Sequence, residues 1–113
     1  MAPPSKLAVA TSSVARLVKE EKSYHKELSQ QEASIKKLEQ GGGDENAEFQ
    51  LKQERQGLEE TKKVLPEVRQ RIKDALAKLE EELVTAGGEA DTAEVTKAKE
   101  VVAEAKTSIR EAA

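Results

Sequence analysis

Residues 65–72, LPEVRQRI, lie in the middle of the longest helical pattern in the chain, which spans residues 44–86. Across that span an apolar residue recurs at every seventh position, and this period lays a narrow apolar seam along one side of a helix. The seam consists of Leu51, Leu58, Leu65, Ile72 and Leu79. Val68 and Ala75 fill the intermediate step of the repeat, whereas Thr61 interrupts it. The pattern predicts a long helix that packs against other helices.

Pro66 stands in the middle of this helix. A proline there costs about 3 kcal/mol relative to alanine, because it has no amide hydrogen and its ring crowds the preceding turn. The seam nevertheless keeps its register on both sides of Pro66, so we expect one continuous helix with a kink at Pro66. The alternative is a break near Leu65, which would give a chain of four helices.

A second helical pattern precedes the first one, at residues 12–39. Thr11, Ser12 and Ser13 each offer a hydroxyl that could cap its start. Its seam alternates steps of three and four and consists of Val14, Leu17, Glu21, Tyr24, Leu28, Gln31, Ile35 and Leu38. The two polar members, Glu21 and Gln31, are either partly exposed, with their stems along the apolar surface, or set register and partner choice.

Glycines divide the chain into three helices. Gly41, Gly42 and Gly43 cannot continue a helix, and Asp44 after them is a good cap for the next one. A second break follows residue 86, and a third pattern of small apolar residues occupies residues 92–110. The loop between the first and second helices, residues 40–44, is so short that these two helices must be antiparallel.

We therefore predict an all-α fold, an elongated up-down-up three-helix bundle with coiled-coil-like packing. The bundle comprises residues 11–113, with helices at about 12–39, 45–85 and 92–110. Residues 1–10 contain Pro3 and Pro4 and are predicted to form a flexible N-terminal arm.

The composition argues against several classes of function. The 113 residues suffice for one domain, and with 2% aromatic residues they can fill a thin interhelical seam but not a wide core. The net charge of -3, with both signs interspersed, argues against nucleic-acid binding. No apolar run approaches the ~20 residues that span a bilayer, and no secretory signal is visible. We expect a cytoplasmic protein that contacts neither nucleic acid nor membrane.

The sequence offers little for catalysis. There is no cysteine and a single histidine, His25, so no nucleophile–histidine–acid set or thiolate metal site can be assembled. His25 lies one position beyond the seam and is predicted to face solvent. We expect no enzyme, no cofactor and no metal, which leaves binding to other proteins through helix faces.

Particular residues point to a family. Residues 13–20, SVARLVKE, followed by Tyr24, Lys26-Glu27 and the run QQE at 30–32, resemble the first helix of the tubulin-binding cofactor A family, also called tubulin-specific chaperone A. The second helix resembles the family at Phe49, Leu51, Lys52, Leu58, Glu60, Leu65, Pro66, Arg71 and Leu79. The resemblance covers about residues 11–83. Ala15 stands where the family usually has lysine, and Val68 stands where it has cysteine.

The resemblance implies a non-catalytic chaperone. Such a protein captures β-tubulin after its release from the cytosolic chaperonin, hands it on towards the αβ-heterodimer, and uses no nucleotide itself. Other tubulin-folding cofactors are further candidate partners, and association with the cytoskeleton is expected. The alternative is a homodimeric coiled-coil scaffold or adaptor without a chaperone role; the sequence leaves the oligomeric state open.

We place the partner-binding surface on the polar faces of the first two helices. The candidate contact residues are Arg16, Lys19, Glu20, Lys26, Glu27, Glu60 and Arg71. Each of them could equally be an ordinary solvated side chain. Tyr24 and Pro66 are assigned structural roles, Tyr24 as a core residue and Pro66 as the bend that shapes the binding face.

Overall fold

The computed structural model describes residues 4–41, 45–87 and 92–111. These residues form three helices and no strand: α1 at Lys6–Glu39, α2 at Ala47–Ala86 and α3 at Thr92–Glu111. The predicted all-α fold with three helices is confirmed. The predicted bounds of the second and third helices agree with the observed ones to within two residues.

The helix α2 runs without interruption through Pro66. The alternative of a break near Leu65 is therefore wrong. Pro66 is exposed, so the carbonyl of Lys62, which loses its amide partner to the proline, can be hydrated. The kink at this position stays a prediction.

The start of α1 corrects a prediction. The helix begins at Lys6 and not near residue 12, so residues 6–10, assigned to the flexible arm, are helical. Ser5 is the cap, because its Oγ accepts a hydrogen bond from the Ala8 amide at 3.0 Å. Thr11, one of the predicted caps, is buried inside the helix and donates its hydroxyl to the Leu7 carbonyl at 2.8 Å. Residues 1–3 of the predicted arm lie outside the described residues.

Glycines end the first two helices as predicted. Gly41 follows α1 with a φ of 86°, and Gly87 follows α2 with a φ of 53°. Both values lie in the left-handed region, which glycine enters without steric cost. The amide of Gly41 also bonds the Leu38 carbonyl at 3.3 Å, which closes the last turn of α1. The predicted cap Asp44 lies outside the described residues.

The chain divides into two compact units. One, which we call the three-helix unit, combines Met1–Glu20 with Val68–Ala113, and so contains the start of α1, the end of α2 and all of α3. The other, the two-helix unit, is Glu21–Glu67. The sequence predicted a single bundle and did not indicate this division.

The three-helix unit holds most of the buried apolar side chains. Its core consists of Leu7, Ala10, Val14, Val18, Val68, Ile72, Leu76, Leu79, Ala98, Val101 and Ala105. Val18 and Leu76 were not in the predicted seams; they are buried because a helix with two neighbours needs a wider apolar stripe than a two-stranded seam. Ser5 Oγ, at the start of α1, donates to Glu94 Oε2 in the first turn of α3 at 3.0 Å, so α1 and α3 run in the same direction.

The two-helix unit is an antiparallel pair. Glu39 near the end of α1 lies 3.0 Å from Arg55 near the start of α2, measured between Oε1 and Nη2. Its seam residues Tyr24, Leu28, Ile35, Leu51 and Leu58 are only half-buried. A two-helix contact covers one side of each helix, which explains the partial burial. Tyr24, which the sequence assigned to the core, is one of these half-buried residues, and its structural role stays a prediction.

Candidate partner-binding surface

The seven predicted contact residues are all exposed. Five of them lie on α1, on the side of the helix that points away from its buried residues Val14 and Val18. The unit boundary divides the set. Arg16, Lys19, Glu20 and Arg71 belong to the three-helix unit, and Lys26, Glu27 and Glu60 belong to the two-helix unit.

In the three-helix unit the sequence spacing groups three candidates on one helix face. Arg16, Lys19 and Glu20 occupy positions i, i+3 and i+4 of α1, which are neighbours on a helix surface. Two cations and one anion therefore lie together in water, where a partner of complementary charge can reach them.

In the two-helix unit the outer face of α2 is strongly charged. Glu60 lies in a shallow depression with Glu48, Lys52, Arg55, Gln56, Glu59 and Lys63. The signs balance on this face, and some charges are already paired: Arg55 with Glu39, and Glu59 with Lys62 at 4.0 Å. Exposed pairs of this kind contribute about 0–1 kcal/mol each, so they can be exchanged for partner contacts at small cost.

The described residues contain neither a metal-holding cluster nor a membrane-spanning helix. No group of three or more His, Cys, Asp or Glu side chains in it is placed to hold a metal ion. Within the same residues, none of the three helices combines the length and apolar character that crossing a membrane requires.

A comparison with known protein families identifies the family of this chain. The family model described as Tubulin binding cofactor A matches residues 2–102. The chain belongs to the tubulin binding cofactor A family. The resemblance in the first two helices is thereby confirmed, and the match extends beyond it into α3, as far as residue 102.

Two relatives agree with the family assignment. Tubulin-specific chaperone A of Saccharomyces cerevisiae is 32% identical over 104 residues, which is 88% of this chain and 95% of the relative. The crystal structure of tubulin folding cofactor A from Arabidopsis thaliana matches with a TM-score of 0.76 at 31% identity, covering 89% of this chain and 92% of that one. At this identity and TM-score the cofactor A fold is shared over nearly the whole chain.

In this cofactor A member the polar seam residue Glu21 is buried. Glu21 is only 3% exposed, so the partly exposed reading of this seam residue is wrong. His25 Nε2 donates to Glu21 Oε1 at 3.0 Å, and the His25 side chain is 43% exposed. His25 is thus tied to a buried carboxylate rather than free in solvent. The pair favours the second reading of Glu21, in which a buried polar group fixes register.

The second polar seam residue, Gln31, lies against Gly57 in the middle of α2. Gln31 is half-buried, and its Nε2 would lie 3.1 Å from a Cβ placed on Gly57 of α2. The missing side chain at Gly57 therefore makes room for the amide of Gln31. Thr61, which interrupts the apolar repeat, is buried and donates its hydroxyl to the Gly57 carbonyl at 3.0 Å.

Sequence reasoning missed the exposed apolar residues of the surface. Val9, Phe49 and Val84 are 51%, 62% and 83% exposed. Val9 lay in the predicted arm, and only a helix beginning at Lys6 places it on a defined face. Phe49 was noted only as a position that resembles the cofactor A family. Single exposed apolar side chains are common on monomeric proteins, but those beside charged groups can anchor a partner.

Proposed function

We propose that this protein is a tubulin-folding chaperone, which captures β-tubulin after its release from the cytosolic chaperonin and passes it towards αβ-heterodimer assembly. The observation that carries the proposal is the cofactor A family match over residues 2–102, together with a relative named tubulin-specific chaperone A. Capture requires no chemistry and no nucleotide on the chaperone. It takes place in the cytoplasm, where other tubulin-folding cofactors are further partners.

The exposed surface supports capture of a compact partner rather than of an unfolded chain. A chaperone that shields unfolded segments needs a continuous apolar surface, whereas the large apolar side chains exposed here are scattered singly over α1 and α2. The rest of the described surface is mostly polar and charged, with both signs interspersed. Such a surface suits recognition by charge complementarity, with rapid association and exchange.

We place the contact on the charged faces of α1 and α2. The contact residues are Arg16, Lys19, Glu20, Lys26, Glu27, Glu60 and Arg71, all exposed. In this proposal Tyr24 supports the α1–α2 contact through its half-buried ring, and Pro66 shapes the outer side of α2.

Native-gel binding to β-tubulin released from chaperonin tests the function. A new band that contains both proteins, absent when native αβ-heterodimer replaces free β-tubulin, is the expected result. If no such band forms at tens of micromolar of each protein, the capture function is wrong and the scaffold alternative moves forward.

Charge reversal tests the contact residues. The double variant Arg16→Glu/Lys19→Glu should weaken β-tubulin binding by about tenfold or more, because four units of charge change at a complementary contact. The matched control is Lys97→Glu/Lys99→Glu, which makes the same change at exposed positions of α3. Helicity, measured by circular dichroism, should be unchanged in both. Equal binding by both variants would move the site off α1.

A further inference from the structure

A surface groove of the three-helix unit shares only Arg16 with the contact residues above. It consists of two depressions that share Pro4, Val9 and Ser13, and it lies beside the start of α1 and the end of α2. We call it the Val9 groove. Its lining includes Lys6, Val9, Ala10 and Arg16 of α1 and Ala75 and Lys78 of α2.

The middle of the groove is apolar. Val9 is 51% exposed, although Leu7 and Ala10 in the same turn of α1 are buried. Ala10 and Ala75, the small side chains that line the groove beside it, leave space above the helix surface. An apolar side chain of a partner can therefore pack against Val9 without displacing any part of the core.

The rim of the groove is basic. Residues 1–19 contain no aspartate or glutamate, although the whole chain has 22 acidic and 19 basic residues. Lys6, Arg16 and Lys78 line the groove, against one acid, Glu82. The ion pairs found among the described residues involve Arg55, Lys62, Lys106 and His25 and none of these three cations. Glu94 accepts a hydrogen bond from Ser5 nearby but does not line the groove.

We propose that the Val9 groove binds an acidic segment of a protein partner, with one apolar side chain against Val9 and carboxylates on either side of it. One end of the segment meets Lys6 and Lys78, and the other end meets Arg16. Lys6 and Arg16 are ten positions apart on one helix, about 15 Å, which about five residues of extended chain can span. The inference deepens the proposed function, since the segment belongs to the captured protein.

The lining of the groove favours an acidic protein segment over a nucleic acid or an anionic membrane surface. No aromatic side chain lines the groove, so nucleic-acid bases have nothing to stack on. A membrane surface would need a broad apolar face, whereas the groove exposes a single large apolar side chain. A protein segment with spaced carboxylates and one apolar side chain matches both the basic rim and the exposed Val9.

Fluorescence anisotropy with the full-length protein tests the groove directly. The probe is a labelled synthetic peptide with one central leucine flanked by glutamates, and the counter-probe has lysine in place of each glutamate. The acidic peptide should bind at least about tenfold more tightly than the basic one, and added salt should weaken it. Equal binding of the two peptides, binding of neither, or binding only to phosphatidylserine vesicles overturns the proposal.

Matched variants locate the binding. Val9→Asp replaces the apolar anchor by a charge of the wrong sign and should weaken acidic-peptide binding about tenfold. Val84→Asp, the same change at an exposed valine of the same unit that does not line the groove, should leave it unaltered. Lys6→Glu/Lys78→Glu should reverse the preference in favour of the basic peptide. If Val9→Asp and Val84→Asp bind alike, the groove is not the site.

Parallel assays with chaperonin-released β-tubulin separate the two proposals. Loss of capture by Val9→Asp, but not by Val84→Asp, supports both. If both variants capture β-tubulin as well as the unmodified protein does, the groove does not serve capture, and the proposed function stands. If the unmodified protein binds the acidic peptide and captures no β-tubulin, the proposed function fails while the groove's preference stands.

Discussion

At the residue scale, polar side chains at interhelical positions restrict the register in which α1 and α2 can pair. A seam made only of leucine and valine would tolerate shifts of register, because apolar contacts are similar at every turn. Glu21 is buried with His25 bonded to it, and Gln31 lies against Gly57, so the two-helix unit carries position-specific contacts. Polar groups of this kind contribute to a unique pairing of helices even where they add little stability.

The cost of losing the Glu21 carboxylate can be measured. Glu21→Ala should lower the free energy of unfolding by about 1–3 kcal/mol, because it leaves His25 without its buried partner and opens a small cavity. The matched control is Glu20→Ala, one position earlier and exposed, which should change stability by less than about 0.5 kcal/mol. Urea unfolding followed by circular dichroism gives both values, and equal effects would argue against a structural role for Glu21.

At Gly57 we expect a substitution that stabilises the protein. Gly57→Ala should stabilise the protein by about 0.5–1 kcal/mol, since alanine favours helix and the nearest atom to the added Cβ, Gln31 Nε2 at 3.1 Å, is the mobile end of a side chain. Repeating the change in a Gln31→Ala background should give a larger gain, because the close approach is then removed. Thermal unfolding reports both values; a loss of stability in the first variant would show that Gln31 cannot move.

At the scale of the elements, α2 is the helix around which the chain is built. It contributes to both units and carries the longest apolar repeat, and it continues through Pro66 because the proline lies on its exposed side. Only that side can accept a proline without leaving a carbonyl buried and unsatisfied. The placement explains how a residue that normally breaks a helix is accommodated.

Replacing the proline tests this explanation. Pro66→Ala should remove the predicted kink of α2 and raise the free energy of unfolding by about 1–3 kcal/mol, since alanine restores an amide donor and removes the ring. Differential scanning calorimetry would show a higher Tm. A lower Tm would mean that Pro66 is not a strained position and that the bend is itself stabilising. Weaker β-tubulin binding by this variant would support a role for Pro66 in shaping the α2 face.

The elements also show what the sequence could and could not provide. The breaks at Gly41 and Gly87 and the repeat of α2 are local signals, so the three helices and the ends of α2 and α3 were predictable. The start of α1 was missed because Pro3 and Pro4 outweighed the cap at Ser5. Which seam residues would be deeply buried depended on whether a helix had one neighbour or two, and the heptad of a single helix contains no such information.

At the scale of the whole molecule, burial is uneven. The fully buried large side chains Ile72, Leu79, Val14, Val68 and Val101 all belong to the three-helix unit. In the two-helix unit most seam residues are half-buried and two helices share one contact. The two units therefore differ in the apolar area that resists local opening.

Amide hydrogen exchange should reveal this difference. Amides of 68–79 in the three-helix unit should exchange most slowly, close to the rate set by global unfolding, and amides of 28–38 in the two-helix unit should exchange at least about tenfold faster. Mass spectrometry of peptic fragments measures both segments in one sample. Uniform protection along α1 and α2 would show that the chain opens as a single cooperative body.

Capture of β-tubulin is the central step of the proposed function, and the mass of the complex in solution tests it most directly. The purified protein is mixed with β-tubulin released from chaperonin and analysed by size-exclusion chromatography with light scattering, with native αβ-heterodimer as the control. We predict a peak whose mass and composition include both this protein and β-tubulin, and no such peak with the heterodimer. Separate elution of β-tubulin, with this protein appearing only as a complex of its own copies, would contradict the proposal.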